Sequence, residues 1–210
     1  MVANRDHLFS SGLFGVLGAL VVLPRVSEET CRLTVLSSAA SIARSNRVNV
    51  PIEIRPAQAG DIGRVVAIAR KVQEYAARER KRQMAQTVEF SMQAAHYERL
   101  LTSSEHGFFV AVIAGAVIGY ALVAKETEPD DLTTESRADV YELAVAESHR
   151  GQGAGSLLLV RVEQWAAGRG LGLVQLAVWE FNAEALRLYD RAGYRSIMRK
   201  MEKRIRPRPA

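Results

Sequence analysis

The sequence predicts a mixed α/β domain, in which helices flank a central sheet, preceded by an N-terminal extension outside the core. Three observations support this prediction. Apolar residues make up 48% of the 210 residues, which is enough for a sizeable core. From about residue 50 onward, short β-rich runs alternate with segments of helical periodicity. A predicted strand at residues 140–145 is followed by a glycine-rich loop, residues 150–155, that opens a helix.

Composition excludes some kinds of site and leaves others open. The net charge of +5 and the pI near 9.6 permit a polyanionic ligand but do not require one. The one cysteine, Cys31, excludes an internal disulfide framework and a multi-cysteine metal site. The four histidines show no metal-ligand spacing, so we predict no metal.

Residues 1–49 are predicted to form an extension and linker. The apolar segment at residues 8–23 is shorter than the roughly 20 residues that a membrane-spanning helix needs. Arg5 is the only basic residue before it, and Asp6 offsets that charge, which fits a signal peptide poorly. Three interpretations stay open: an extension outside the folded domain, a weak membrane or partner anchor, and a cleaved targeting segment. Membrane contact through residues 8–23 is not the favoured one.

The folded domain is predicted to span residues 50–200. Alternation at residues 52–55 predicts a strand, and Asp61 can cap the helix that follows. A charged stretch at residues 78–82 is predicted to break this helix, and a second helix is expected at about residues 87–101.

The second half begins with a predicted hairpin and continues as alternating strands and helices. Ala114, Gly115 and Ala116 separate the two hairpin strands. A polar, acidic loop at residues 126–135 comes next. Asn182 is expected to cap the last helix, which ends at Gly193. The other predicted elements are the hairpin strands at 107–113 and 117–124, strands at 138–145, 173–178 and 194–198, a helix at 154–167, and a basic tail at 201–210.

The glycine loop is suited to binding phosphate. Its three alternate glycines leave backbone N–H groups uncovered at a helix N-terminus, where unpaired donors and partial positive charge accumulate. Alone, this signal is weak. The spacing departs from the dinucleotide-binding pattern, and the Lys-Ser/Thr pair of a P-loop is missing. A glycine-rich turn without a ligand remains an alternative.

A second segment, residues 182–194, adds to the signal. Asn182 and Tyr189 lie seven residues apart, nearly two helical turns, so they share one helix face. The alternative is that Asn182 is only a cap and Tyr189 only a core aromatic.

Together these segments resemble the GCN5-related N-acetyltransferase (GNAT) family over about residues 52–198. Leu143-Ala-Val145 with Arg150-x-x-Gly153-x-Gly155 matches the acetyl-CoA loop pattern of that family. Asn182, Tyr189 and Gly193-Tyr194 match its second block, and the opening Ile-Glu-Ile-Arg-Pro-Ala is similar to its usual start. The resemblance implies a GNAT-like fold and acetyl-CoA as co-substrate, and it says little about the acceptor.

The resemblance also assigns roles. The N–H groups of the loop would hold the pyrophosphate, with Arg150 adding charge, and the strand carrying Leu143 and Val145 would pair with the pantetheine arm. The Val145 N–H would polarise the thioester carbonyl. The implied cofactor-binding residues are Leu143, Ala144, Val145, Arg150, Gly151, Gln152, Gly153, Ala154, Gly155, Asn182 and Tyr189.

The implied reaction is direct transfer of an acetyl group to a primary amine in a ternary complex. Tyr189 matches the position of the family's general acid. Glu142 is our candidate base, because strand alternation points it to one face while Tyr141 and Leu143 point to the other. The alternative for Glu142 is that it holds a neighbouring basic residue.

The acceptor is expected to be a small-molecule amine. A protein lysine or N-terminal acetyltransferase and a non-catalytic acyl-CoA-binding regulatory module are the alternatives. Ala177 stands where enzymes acting on protein N-termini often carry glutamate, which argues against that class. The acidic loop can attract a cationic amine or be merely solvated. No nucleic-acid partner is expected, because the basic C-terminus fits a solvated tail, and the predicted location is the cytoplasm.

Overall fold

The computed structural model describes residues 51–83, 94–128 and 133–203. The predictions on residues 1–49, on part of the second helix and the acidic loop, and on the end of the basic tail lie outside the described residues. The strands are β1 (Glu53–Pro56), β2 (His106–Ile113), β3 (Ala116–Glu126), β4 (Arg137–Val145) and β5 (Val174–Leu176). The helices are α1 (Ile62–Gln83), α2 (Ala94–Leu100), α3 (Ala154–Ala167) and α4 (Ala183–Arg191).

The five strands form one sheet in sequence order, antiparallel from β1 to β4 and parallel between β4 and β5. The predicted hairpin is present as β2 and β3. Its turn residues Ala114 and Gly115 have φ values of 48° and 79°, a backbone that matches the twist of the flanking strands.

Helices cover both faces of the sheet. α3 and α4 pack on one face, where Leu143 and Val145 of β4 meet Leu158 and Leu188. α1 and α2 pack on the other face, where Ala144 meets Ile68 and Tyr97. The predicted mixed sheet with flanking helices is therefore confirmed. None of the helices within the described residues is long and apolar enough to cross a membrane.

β4 is paired along its whole length on one side only. β3 pairs with β4 as far as Val145, whereas β5 pairs only with residues Ala138, Asp139 and Val140. In the described part of the chain, the second half of β4 thus has an open edge on the side of β5.

A β-bulge changes the direction of one side chain on β4. Leu122 pairs with Glu142, but the next residue of β3, Val123, pairs with Val140, so Tyr141 is the extra residue. The predicted alternation was wrong for Tyr141, because the bulge interrupts the period of two. Tyr141 and Glu142 both lie on the α1/α2 face, whereas Leu143 lies on the α3/α4 face.

Three other element predictions differ from the structure. Residues 78–82 continue α1 rather than break it; Arg70 and Arg78 lie 3.9 Å from Glu74, at the spacing that supports a helix. Asp61 was expected to cap α1, but its carboxylate accepts a hydrogen bond from the Gln58 N–H at 2.8 Å, within the short turn that precedes α1. The same carboxylate pairs with Arg55 at 2.7 Å. Residues 194–198 form no strand, and Ile197 and Met198 are exposed there, away from the apolar contacts that stabilise a strand.

Candidate functional site

The glycine loop joins the end of β4 to α3. Gly151 and Gly153 have φ values of 70° and 92°, which side chains of L-residues rarely adopt, and Gly153 is the N-cap of α3. No side chain caps this helix, and an added Cβ at either glycine would meet nothing within 4 Å. The loop therefore presents backbone N–H groups to open space at a helix N-terminus, which suits an anion.

Gly155 is required for a different reason. A Cβ built there would lie 3.2 Å from Cδ2 of Leu188, so this glycine allows α3 to approach α4 closely. The approach brings the N-terminus of α3 next to the segment that carries Tyr189. Gly151 and Gly153 therefore allow the positive φ angles of the loop, and Gly155 allows the close packing of α3 against α4.

Arg150 is tied to the end of β4. Its Nε donates to the carbonyl oxygen of Val145 at 3.1 Å, and burial lowers the pKa of its guanidinium. Ala146 N–H donates to Ile118 O of β3 at 2.7 Å, so alternation directs the backbone groups of Val145 toward the open edge. This orientation is the one that a carbonyl-polarising N–H of Val145 needs.

Two buried polar atoms, one at the N-cap of α4 and one within α4, have no hydrogen-bond partner among the described residues. Asn182 is the predicted N-cap, and its Oδ1 accepts from Ala185 N at 3.2 Å. In the described part of the chain, its Nδ2 and the Tyr189 hydroxyl have no hydrogen-bond partner, although both residues are at most 3% exposed. Burial also raises the pKa of Tyr189. Because buried polar groups are normally paired, these two atoms suit a polar ligand such as an acyl-CoA.

Glu142 lies in a side-chain cluster whose other members the sequence did not predict. The hydroxyls of Tyr97 and Tyr120 donate to the same oxygen, Oε2, at 2.9 and 2.5 Å. Oε1 accepts no hydrogen bond from any described residue. Both tyrosines are at most 1% exposed, whereas part of Glu142 remains accessible. We call these three residues the tyrosine–glutamate cluster.

The cluster holds a carboxyl group in a poorly solvated place. Burial raises the pKa of Glu142, and the two phenol hydrogen bonds oppose that rise. Burial also raises the pKa values of Tyr97 and Tyr120, so both phenols remain donors at neutral pH. Among the described residues, the side-chain partners of Glu142 are these two phenols rather than a basic side chain.

A cleft of about 320 Å³ lies between α1 and the end of β4. Its lining combines apolar residues with three cations and one carboxylate. The lining residues are Arg64, Ala67, Ile68, Lys71, Val72, Val145, Ala146, Glu147, Ser148 and Arg150.

The acidic loop supplies structural contacts where it is described. Glu126 accepts a hydrogen bond from the Tyr141 hydroxyl, and the carbonyl oxygen of Glu128 accepts one from buried Arg137 at 3.1 Å. Asp130 and Asp131 lie outside the described residues. No group of three or more side chains suited to a metal ion occurs within the described ranges.

Comparison with known proteins places this geometry in a family. The model of the acetyltransferase (GNAT) family matches residues 71–194, more than half of the chain. Thialysine N-epsilon-acetyltransferase of Bos taurus is 26% identical over 156 residues, which cover 70% of this chain and 85% of that protein. Streptothricin acetyltransferase of Streptomyces lavendulae is 37% identical over 87 residues, 41% of this chain and only 43% of that protein.

A solved structure gives the same result for the fold. A mutant protein of Bacillus halodurans superposes with a TM-score of 0.66 and 20% identity, covering 73% of this chain and 99% of that one. The sequence resemblance is therefore confirmed. The chain belongs to the acetyltransferase (GNAT) family and is an acyltransferase.

Proposed function

We propose that this acyltransferase moves an acetyl group from acetyl-CoA to a primary amine of a small molecule, by direct attack in a ternary complex. The observation that carries the proposal is the open edge of β4, which runs into the glycine loop. An extended amide-bearing arm can add to a free strand edge, and a pyrophosphate can follow it onto the N–H groups of the loop.

The donor site would use the residues that the sequence motif names. Leu143, Ala144 and Val145 would line the pantetheine arm, with the Val145 N–H polarising the thioester carbonyl. Such a donor can contribute about 3 kcal/mol when it is well placed. Residues 150–155 would hold the pyrophosphate, and Nδ2 of Asn182 would gain the partner that it lacks among the described residues.

The transfer step needs one proton acceptor and one hydrogen-bond donor. A lysine-type ammonium ion first releases one proton to solvent. The nitrogen of the neutral amine then attacks the thioester carbon, the carbon–sulfur bond breaks, a second proton of that nitrogen passes to Glu142 Oε1, and the sulfur leaves as a thiolate. Thiols titrate near about 8.5, and the pKa of Tyr189 is raised above its usual value of about 10. Tyr189 would therefore stabilise the leaving sulfur mainly by hydrogen bonding.

The tyrosine–glutamate cluster supports Glu142 as the base. An amine of lysine type titrates near about 10.4 and reaches the site as an ammonium ion, which a carboxylate attracts. With Oε2 held by two phenols, Oε1 is left for the amine. The raised pKa makes Glu142 a better proton acceptor than an ordinary carboxylate.

A small amine is favoured over a protein amine. The names of two relatives specify thialysine and streptothricin. Ala177, where many enzymes acting on protein N-termini have glutamate, supports the same choice. Membership of an acyltransferase family favours turnover over a non-catalytic acyl-CoA-binding module.

The test is release of free thiol from acetyl-CoA by the purified protein across a panel of small amines and lysine or N-terminal peptides. We expect thiol release that depends on both a small amine and the protein, with the N-acetylated amine identified by mass spectrometry. Turnover of peptides alone would favour the protein acetyltransferase. Acetyl-CoA binding without thiol release for any member of the panel would contradict the proposal.

A further inference from the structure

The cleft beside α1 is bounded by cations on both walls. Arg64 and Lys71 lie on α1, two turns and therefore about 10 Å apart along the helix axis. Arg150 lies on the opposite wall, beside the glycine loop. Among the described lining residues Glu147 is the one carboxylate, so positive charge prevails there.

The two cations of α1 that line the cleft have no carboxylate partner in the described part of the chain. By contrast, Arg70 and Arg78 of the same helix both lie 3.9 Å from Glu74. Nε of Arg64 donates instead to the Val117 carbonyl at 3.1 Å, which anchors the guanidinium while its terminal amino groups remain available. A fixed arginine of this kind is suited to a carboxylate or phosphate.

The cleft opens on the same sheet face as Glu142. Ala144 and Ala146 belong to the apolar layer between β4 and α1, and the partners of Glu142, Tyr97 and Tyr120, belong to it as well. Ala146 lines the cleft four residues after Glu142, about 13 Å along the strand. Because the side chains of Glu142, Arg64 and Lys71 are long, a ligand that contacts their charged ends has less than this distance to bridge.

We propose that this cleft binds the anionic group, a carboxylate or phosphate, of the same acceptor whose amine meets Glu142. The acceptor class is then a primary amine joined by an apolar chain to an anion. Ile68, Val72 and Ala67 provide the apolar wall for that chain. This inference rests on the proposed function, since it takes Glu142 as the place where the amine reacts.

The test compares two compounds that differ only at the end remote from the amine. In ε-aminocaproate the chain ends in a carboxylate, and in hexylamine it ends in a methyl group. Binding of each to the protein saturated with coenzyme A is measured by calorimetry, which needs no turnover. We expect ε-aminocaproate to bind about 10-fold or more tightly than hexylamine, since a hydrogen bond to a charged group is stronger than one between neutral groups.

Variants of α1 locate the effect. Arg64→Gln should remove most of the preference for ε-aminocaproate and leave hexylamine binding unchanged. Arg70→Gln is the matched control, because Arg70 lies on the same helix, is exposed and does not line the cleft. If turnover is seen, Arg64→Gln should raise KM for ε-aminocaproate with little change in kcat, as expected for a contact made before and during the reaction.

Two results would overturn the inference without touching the proposed function. One is equal affinity of the wild-type protein for the two compounds. The other is an Arg64→Gln variant that loses affinity for acetyl-CoA and keeps its preference for ε-aminocaproate, which would give the cleft to the phosphates of the donor. Failure of the proposed function itself would appear separately, as absent thiol release across the amine panel.

Discussion

The glycine loop and the tyrosine–glutamate cluster lie at the same strand but are built in opposite ways. The loop is one continuous segment, residues 150–155, and offers backbone groups set by the φ angles of Gly151 and Gly153. The cluster offers side chains from three elements: Tyr97 from α2, Tyr120 from β3 and Glu142 from β4. Successive members are 23 and 22 residues apart in the chain. A local motif thus forms one site, and tertiary packing forms the other.

This difference determines how each site can be broken. The loop should tolerate changes around it and fail when a side chain is added at a glycine. The cluster should keep its shape when a single oxygen or charge is removed, and such a change should alter the catalytic rate or its pH dependence. Substitutions at Gly153, Glu142 and Tyr97, each with its controls, test the contrast, and one at Tyr189 tests the segment beside the loop.

Gly153→Glu should abolish measurable acetyl-CoA binding. The φ of 92° strains any L-residue there, and the new carboxylate would repel the phosphates proposed to lie at the loop. Isothermal calorimetry with acetyl-CoA measures the loss, and circular dichroism checks the fold.

Two companions separate the causes of that loss. Gly153→Ala adds strain of about 1–2 kcal/mol without charge, so it should weaken binding far less. Gly172→Glu adds the same charge at an exposed glycine that has no positive φ and no atom within 4 Å of an added Cβ, and it should bind normally. Binding retained by Gly153→Glu would show that the pyrophosphate lies elsewhere.

Glu142→Gln should lower kcat by about 100-fold or more and leave acetyl-CoA binding intact, because general bases contribute about 10²–10⁴-fold. The amide oxygen of glutamine can still accept from both phenols, so the cluster should keep its shape. Thiol release at saturating amine measures the effect. An unchanged kcat would remove Glu142 from the reaction.

The same variant should be more stable than the wild type at neutral pH. The pKa of Glu142 is raised in the folded protein, so the folded state disfavours the ionised form. Stability is therefore fully present below the unfolded pKa and is lost as pH rises through the folded pKa. Glutamine does not ionise, so the variant avoids this loss of stability. Thermal unfolding at a series of pH values should show that the Tm of the variant minus that of the wild type rises with pH.

The sequence predicted the local structure of the glycine loop and its flanking elements nearly in full. The start of α3 at Ala154, the cap at Asn182 and the strand ending at Val145 are all properties of local sequence, and each is where it was expected. Gly155 was named for a phosphate role, but its contact with Leu188 is a packing constraint that only the assembled helices reveal.

The second site was predicted only at Glu142. Tyr97 lies within the predicted second helix, and a buried tyrosine needs a partner for its hydroxyl, yet nothing local identifies that partner. Tyr120 lies in an apolar strand, and there too the sequence indicates that the hydroxyl needs a partner without identifying it. The bulge at Tyr141 has no glycine to mark it, so the reversal of that side chain could not be expected from the period of two.

Tyr189→Phe should lower kcat about 10-fold and leave the affinity for acetyl-CoA almost unchanged. The hydroxyl has no partner in the described part of the protein, so its removal leaves no buried group unpaired. Stability should therefore stay level or rise slightly. Rapid thiol-release kinetics and thermal unfolding measure the two effects. Normal turnover by this variant would make Tyr189 a core aromatic only.

Tyr97→Phe should have the smallest effect at neutral pH and the most specific one. Its hydroxyl lowers the pKa of Glu142, so its loss should raise that pKa and move the acid limb of the kcat profile to higher pH. Below the limb the variant should be several-fold slower than the wild type, and above the limb the two rates should converge. Tyr141→Phe, whose hydroxyl bonds Glu126 instead, is the matched control and should leave the limb in place. A rate lowered equally at every pH would mean that Tyr97 only supports the fold, whereas a displaced limb shows that a residue of α2 tunes a base on β4.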